Sequence, residues 1–88
     1  MKIIKVGAVW CPGCLVMKKI WNNISKNYEL DITELDYDMD NEEVNKYDVG
    51  NILPVVMFFD KNNNEIKRLV GEQKESTLTE LIDLYRGM

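Results

Sequence analysis

Reactivity in this sequence is concentrated in Cys11 and Cys14, its only two cysteines, within the run Trp10-Cys11-Pro12-Gly13-Cys14. The pair stands where an apolar stretch (Ile3, Ile4, Val6, Ala8, Val9) gives way to a helical pattern. A Cys-x-x-Cys pair at a strand-to-helix junction, beside a βαβ pattern, reads as a thiol–disulfide exchange site. With Cys11 as N-cap and Pro12 at the first helical position, a cysteine sulfur faces the unsatisfied amides and the positive end of a helix. That field favours thiolate over thiol. Pro12 has no N–H, so the amides of Gly13 and Cys14 are the nearest donors left for the Cys11 sulfur. Cys14, one turn in, is expected to be buried and to attack a mixed disulfide on Cys11 from behind. The expected roles are therefore Cys11 as the exposed nucleophile and Cys14 as the resolving thiol. Trp10, directly before the nucleophile, is expected to form the apolar rim of a contact surface.

Plainer readings of the pair are weaker. A structural disulfide closing so short a loop would constrain the unfolded chain little. A complete zinc site needs four ligands, and this chain offers two cysteines and no histidine.

The elements that must hold this pair have to come from 88 residues, 45% of them hydrophobic, which suits one domain (1–88) with a packed core. Two cysteines are too few for a disulfide-stapled secreted miniprotein. The N-terminal run Met1 to Gly7 is interrupted by Lys5 and reads as a strand, not as a signal peptide. The longest apolar run, Leu53 to Phe59, is too short to cross a bilayer. The expectation is a soluble monomer in the reducing cytoplasm, with no membrane partner. A net charge of −4 with scattered Lys and Arg argues against nucleic acid.

In chain order, Lys2 to Val6 reads as a strand. From Pro12 the residues Cys14, Met17, Trp21 and Ile24 make one helical stripe, ending near Lys26-Asn27. Leu30 to Asp36 alternates as a second strand. The run Asp36-Tyr37-Asp38-Met39-Asp40 resembles the start of a calcium loop, but Asn41 and Tyr47 stand where that loop needs Gly and Glu. Asp40 as N-cap with Glu43 three residues later predicts a short helix through Tyr47. Val55 to Phe59 suits a strand buried on both faces. Asp60 to Asn64 supplies turn residues, and Glu65 to Val70 closes a hairpin. A last helix is predicted from Ser76 or Thr77, with Leu78, Leu81, Ile82 and Tyr85 as its buried stripe. The order is β-α-β-α-β-β-α, an α/β architecture with a four-stranded mixed sheet flanked by helices on both faces.

These residues, in this order, resemble the thioredoxin family. Trp10-Cys11-x-x-Cys14 resembles its active-site motif, Leu35-Asp36-Tyr37-Asp38 the end of its second strand, and Leu53-Pro54-Val55 its cis-proline site. Phe58-Phe59 resembles its central strand and Val70-Gly71 the end of its last strand. The resemblance implies a thioredoxin-like fold and a redox-active Cys11–Cys14 disulfide, with no bound cofactor. It also implies a motif helix start at Trp10, Pro12 and Gly13, a cis Leu53–Pro54 bond, and substrate contact at Leu53, Pro54 and Gly71. The implied activity is reduction of disulfide-containing proteins, with a thioredoxin-reductase-like flavoprotein as electron donor.

The chain departs from the family pattern in informative ways. It lacks the extra N-terminal strand and helix of full thioredoxins, and its Pro-Gly dipeptide reverses their Gly-Pro. Lys5 stands six residues before the first cysteine, where thioredoxins carry a buried acid. As a strand lysine it is expected to snorkel to solvent. In the alternative, its ammonium lies beneath the motif and favours thiolate there. Two other functions compete: a glutathione-dependent glutaredoxin, suggested by size and Pro12, and a Cys-x-x-Cys metal carrier. Val70-Gly71-Glu72-Gln73 lacks the Gly-Gly and following acid of a glutathione clamp. Val9 occupies the position where small copper chaperones usually carry Met.

Overall fold

The strand that leads into the two cysteines lies inside the sheet, paired on both sides. A computed structural model describes residues 1–86 in the order β1 (Lys2–Gly7), α1 (Pro12–Asn27), β2 (Asp31–Asp36), α2 (Asn41–Asn45), β3 (Val55–Phe59), β4 (Glu65–Val70) and α3 (Glu75–Tyr85). The sheet order is β2-β1-β3-β4. β1 runs parallel to β2, from Lys2 opposite Asp31 to Gly7 opposite Asp36, and antiparallel to β3, from Lys2 opposite Phe59 to Val6 opposite Val55. β3 and β4 form the expected antiparallel hairpin.

Alternation along β1 sends successive side chains to opposite faces. Ile3 joins a core on the α1/α3 face with Met17, Trp21, Ile24, Phe58, Leu78 and Ile82. Ile4 and Val6 join the other face, beneath α2, with Val44, Val55 and Met57. All five residues of β3 are buried, as a strand covered on both sides requires. Burying each such aliphatic or aromatic side chain contributes roughly 1.5–3 kcal/mol, and a domain this small has few to spare.

Several element boundaries differ from the sequence reading, among them the end of β1 at Gly7, not Val6. β2 begins at Asp31, not Leu30, and α2 ends at Asn45, not Tyr47. Asp40 is the N-cap of α2 but makes no side-chain cap; its Oδ2 instead accepts the Asp36 amide at 2.7 Å. α3 begins at Glu75 after an extended Lys74, earlier than Ser76 or Thr77. No side chain caps it; Glu75 in the first turn supplies a charge of the sign the helix N-terminus favours. Among the described residues, no helix is long and apolar enough to cross a membrane.

Candidate active site at the start of the first helix

The site is built where β1 stops and α1 starts. The Cys11 N–H donates to Ala8 O at 3.2 Å, closing a turn that throws Val9 and Trp10 outward and tucks Cys11 in. Val9 is 86% exposed and Trp10 56%, whereas Cys11 is 5% exposed. The expected exposures are therefore reversed: Cys11 is the buried residue of the pair and Cys14 is half-buried. The turn, not the helix, decides this, because it places Cys11 beneath its two outward neighbours.

Cys11 caps α1 with its sulfur. Its backbone is extended (φ −92°, ψ 112°), Pro12 follows at the first helical position, and the Cys14 N–H donates to Cys11 Sγ at 3.3 Å. Gly13 makes no such bond, so one of the two anticipated amides serves the sulfur. Both cysteines are free thiols. Burial, reinforced by the hydrogen bond it shares with Cys11, pushes the Cys14 thiol from an ordinary 9.0 up to about 11, while the Ala8 backbone pulls the other way.

Gly13 matters for space. A β-carbon there would lie 3.0 Å from Glu72 Cγ and 3.2 Å from Pro54 Cδ, so its absence lets both residues close on the first turn. The Leu53–Pro54 bond is cis. The Gly71 N–H donates to Pro54 O at 2.7 Å, at a backbone φ of +88° that suits glycine. Pro54, Gly71 and Cys14 thus line one cavity of about 440 Å³. Leu53 points partly into the α2-side core.

Several contacts around the site were not anticipated in the sequence reading, although the residues that make them were singled out there. Trp10 Nε1 donates to Asp38 Oδ2 at 2.6 Å, and its ring meets Tyr37 edge-on. The aspartates that mimic a calcium loop are turn acceptors: Asp36 Oδ1 takes the amides of Asp38 and Met39. Lys5 neither snorkels freely nor lies alone beneath the motif. Its Nζ pairs with Glu34 Oε1 at 2.6 Å and sits 5.1 Å from the Trp21 ring centre, and its side chain is 16% exposed. A cross-strand partner at the matching parallel register position could have been found from the strand pairing alone.

A four-stranded mixed sheet with helices on both faces, and a Cys-x-x-Cys capping the first helix beside a cis-proline, defines a thioredoxin-like protein. The comparisons agree. The thioredoxin family model matches residues 1–84. The thioredoxin of Staphylococcus aureus (strain Mu50) is 27% identical over 87 residues, covering 97% of this chain and 82% of its own. A Plasmodium falciparum thioredoxin structure is 27% identical with a TM-score of 0.80, covering 96% of this chain and 84% of its own. The Schistosoma mansoni thioredoxin pre-protein shares the fold with a TM-score of 0.83 at 20% identity, covering 94% of this chain and 76% of its own. The chain belongs to the thioredoxin family, and its activity class is protein thiol–disulfide oxidoreduction.

Proposed function

We propose that the protein reduces protein disulfides, with Cys11 as the attacking thiolate and Cys14 as the resolving thiol. The observation that carries this reading is the asymmetry of the two sulfurs: Cys11 Sγ receives a helix amide, while the Cys14 thiol is pushed up to about 11. An amide directed at a sulfur stabilises its anion, and a raised pKa keeps the neighbour protonated until the first exchange is complete. Cys11 thiolate attacks one sulfur of the substrate disulfide and expels the other as thiolate. Cys14 then loses its proton to solvent and attacks Cys11 Sγ, forming the Cys11–Cys14 disulfide and releasing the second substrate thiol.

Trp10, Pro12 and Gly13 shape the rim and start of the helix in this reading, and Leu53, Pro54 and Gly71 form the substrate-facing edge. No bound cofactor is needed, because the exchange uses only sulfur. Reduction of the resulting disulfide falls to a flavoprotein resembling thioredoxin reductase, and the reducing cytoplasm is the compartment in which such a dithiol works as a reductant. The test is trapping: Cys14→Ser mixed with a small disulfide should accumulate a Cys11 adduct by mass spectrometry, and Cys11→Ser should accumulate none. An adduct on Cys14 in the otherwise unaltered protein would overturn the assignment.

A further inference from the structure

The cavity that Cys14 lines also holds Lys5 and Glu34. Alternation puts Lys5 and Gly7 on the same face of β1, toward α1. Cys14 Sγ lies directly over Gly7: a β-carbon built there would stand 3.1 Å from it. Lys5 therefore lines, two residues along the same strand face, the cavity that Cys14 also lines. It is held there by Glu34 Oε1 at 2.6 Å and by the face of Trp21. The two partners are unequal: Glu34 is 73% exposed at the cavity mouth, and Lys5 only 16%. The cation is inside and its counter-charge faces water.

We propose that Lys5 promotes the resolving step by stabilising the Cys14 thiolate across this cavity, and that Glu34 moderates that effect. The proposal rests on the assignment of Cys14 as the resolving thiol. Lys5 touches no substrate and acts only through Cys14. In the step concerned, the Cys14 thiol gives its proton to solvent through the open mouth. The thiolate forms a bond to Cys11 Sγ, the bond from Cys11 to the substrate sulfur breaks, and the substrate leaves as thiolate to be protonated by water. A positive charge on the inner wall of the cavity favours the anionic state in that sequence, against the carboxylates that also line it. Burial opposes that state, as the raised Cys14 pKa records. The charged groups facing the cavity are Lys5 of β1, Lys18 of α1, Glu34 and Asp36 of β2, and Asp40 ahead of α2; the β3 lining is apolar. Lys18 is exposed, so Lys5 is the inner cation.

The two members of the ion pair must then act with opposite sign, which a purely structural pair cannot do. A shielded charge partly neutralised by Glu34 shifts a neighbouring pKa by about half a unit to one unit, below the range for a bare adjacent charge. Because nucleophilicity falls with pKa, that shift changes the exchange rate at neutral pH about two- to threefold. The reduced protein is mixed with an aromatic disulfide that releases a coloured thiolate at each of the two steps, and the second release is timed. Lys5→Met should slow it about two- to threefold, Glu34→Gln should speed it by a similar factor, and Lys5→Arg should match the unaltered protein. Slowing in both of the first two variants, or no change in either, overturns the proposal. If Lys5→Met fails to fold, Glu34→Gln decides alone, and a second release no faster than in the unaltered protein overturns it. Absence of a second release in the unaltered protein would instead overturn the resolving role of Cys14. In that event, thiolate absorbance of Cys14 in a Cys11→Ser background still reads Lys5: its pKa must rise with Lys5→Met and fall with Glu34→Gln, and any other pattern rejects the proposal.

Discussion

Cys14 Sγ sits so close over Gly7 that a β-carbon on Gly7 would lie 3.1 Å from the sulfur. That separation is tighter than ordinary van der Waals contact, so the last residue of β1 fixes how far the second thiol can settle toward the sheet. Gly7 also accepts the Tyr37 amide at 2.7 Å through its carbonyl, which holds this part of the strand against the end of β2.

Gly7→Ala should therefore displace Cys14 Sγ by a few tenths of an ångström without unfolding the protein. A misplacement of about 1 Å costs roughly a hundredfold in a positioned reaction, so a smaller one should slow resolution by about three- to tenfold. The first attack by Cys11 should change less, by about twofold or under, because the substitution presses on the Cys14 side chain and not on the Cys14 amide that serves Cys11 Sγ. Stopped-flow mixing with an aromatic disulfide separates the two releases. Equal slowing of both would show that Gly7 acts on the whole motif and not on Cys14.

The raised Cys14 pKa makes the dithiol form sensitive to alkali. Above its ordinary 9.0 the thiol ionises in the unfolded chain, while the folded thiol keeps its proton to about 11. The folded state then binds more protons than the unfolded state, so its stability falls as pH rises through that window and is independent of this group below it. Urea midpoints taken across the window should drop more steeply for the unaltered protein than for Cys14→Ser. Parallel curves would mean that the folded thiol ionises normally.

Arg68 holds the segment that delivers Pro54. Its Nη2 donates to Tyr47 O at 2.6 Å and its Nη1 to Asp48 O at 3.2 Å, and its fork also meets Glu65. Asp48 itself has φ +53°, so the chain turns sharply there. Lysine offers no planar fork, and Arg68→Lys should lose at least one charge-assisted bond worth about 1.5–3 kcal/mol before relaxation. Urea unfolding should show a loss of about 1–2 kcal/mol, with faster amide exchange at Tyr47 to Asn51. Unchanged exchange in that loop would mean that the segment is held by other contacts.

The element order, both hairpin strands and the helix following the motif were legible because each rests on a local period. β3 (Val55–Phe59) and β4 (Glu65–Val70) coincide with the sequence reading, since Pro54, the Asp60–Asn64 turn and Gly71 punctuate them sharply. α3 was misplaced at its start because Lys74, which precedes it, is no conventional cap and Thr77 looks like a better one. Side-chain burial in the site was the least legible part. The exposure of Cys11 depends on a turn bond between Cys11 and Ala8, and no pattern of residue types announces it. The surroundings of Lys5 depend on which strand pairs with β1 and in what register. The cis bond at Leu53–Pro54 was readable only through family resemblance, because proline alone leaves the trans form favoured.

The strand order also leaves β2 and β4 as the two open margins of the sheet. Unpaired amides and carbonyls along such margins invite a neighbouring molecule to add a strand. Here β2 carries Asp31, Glu34 and Asp36, and β4 carries Glu65, Lys67 and Arg68. A second copy docking margin to margin along β2 would set carboxylates against carboxylates, which discourages stacking into extended sheets. The same acidic strand that holds the Lys5 counter-charge thus also disfavours its own pairing with the β2 edge of a second copy.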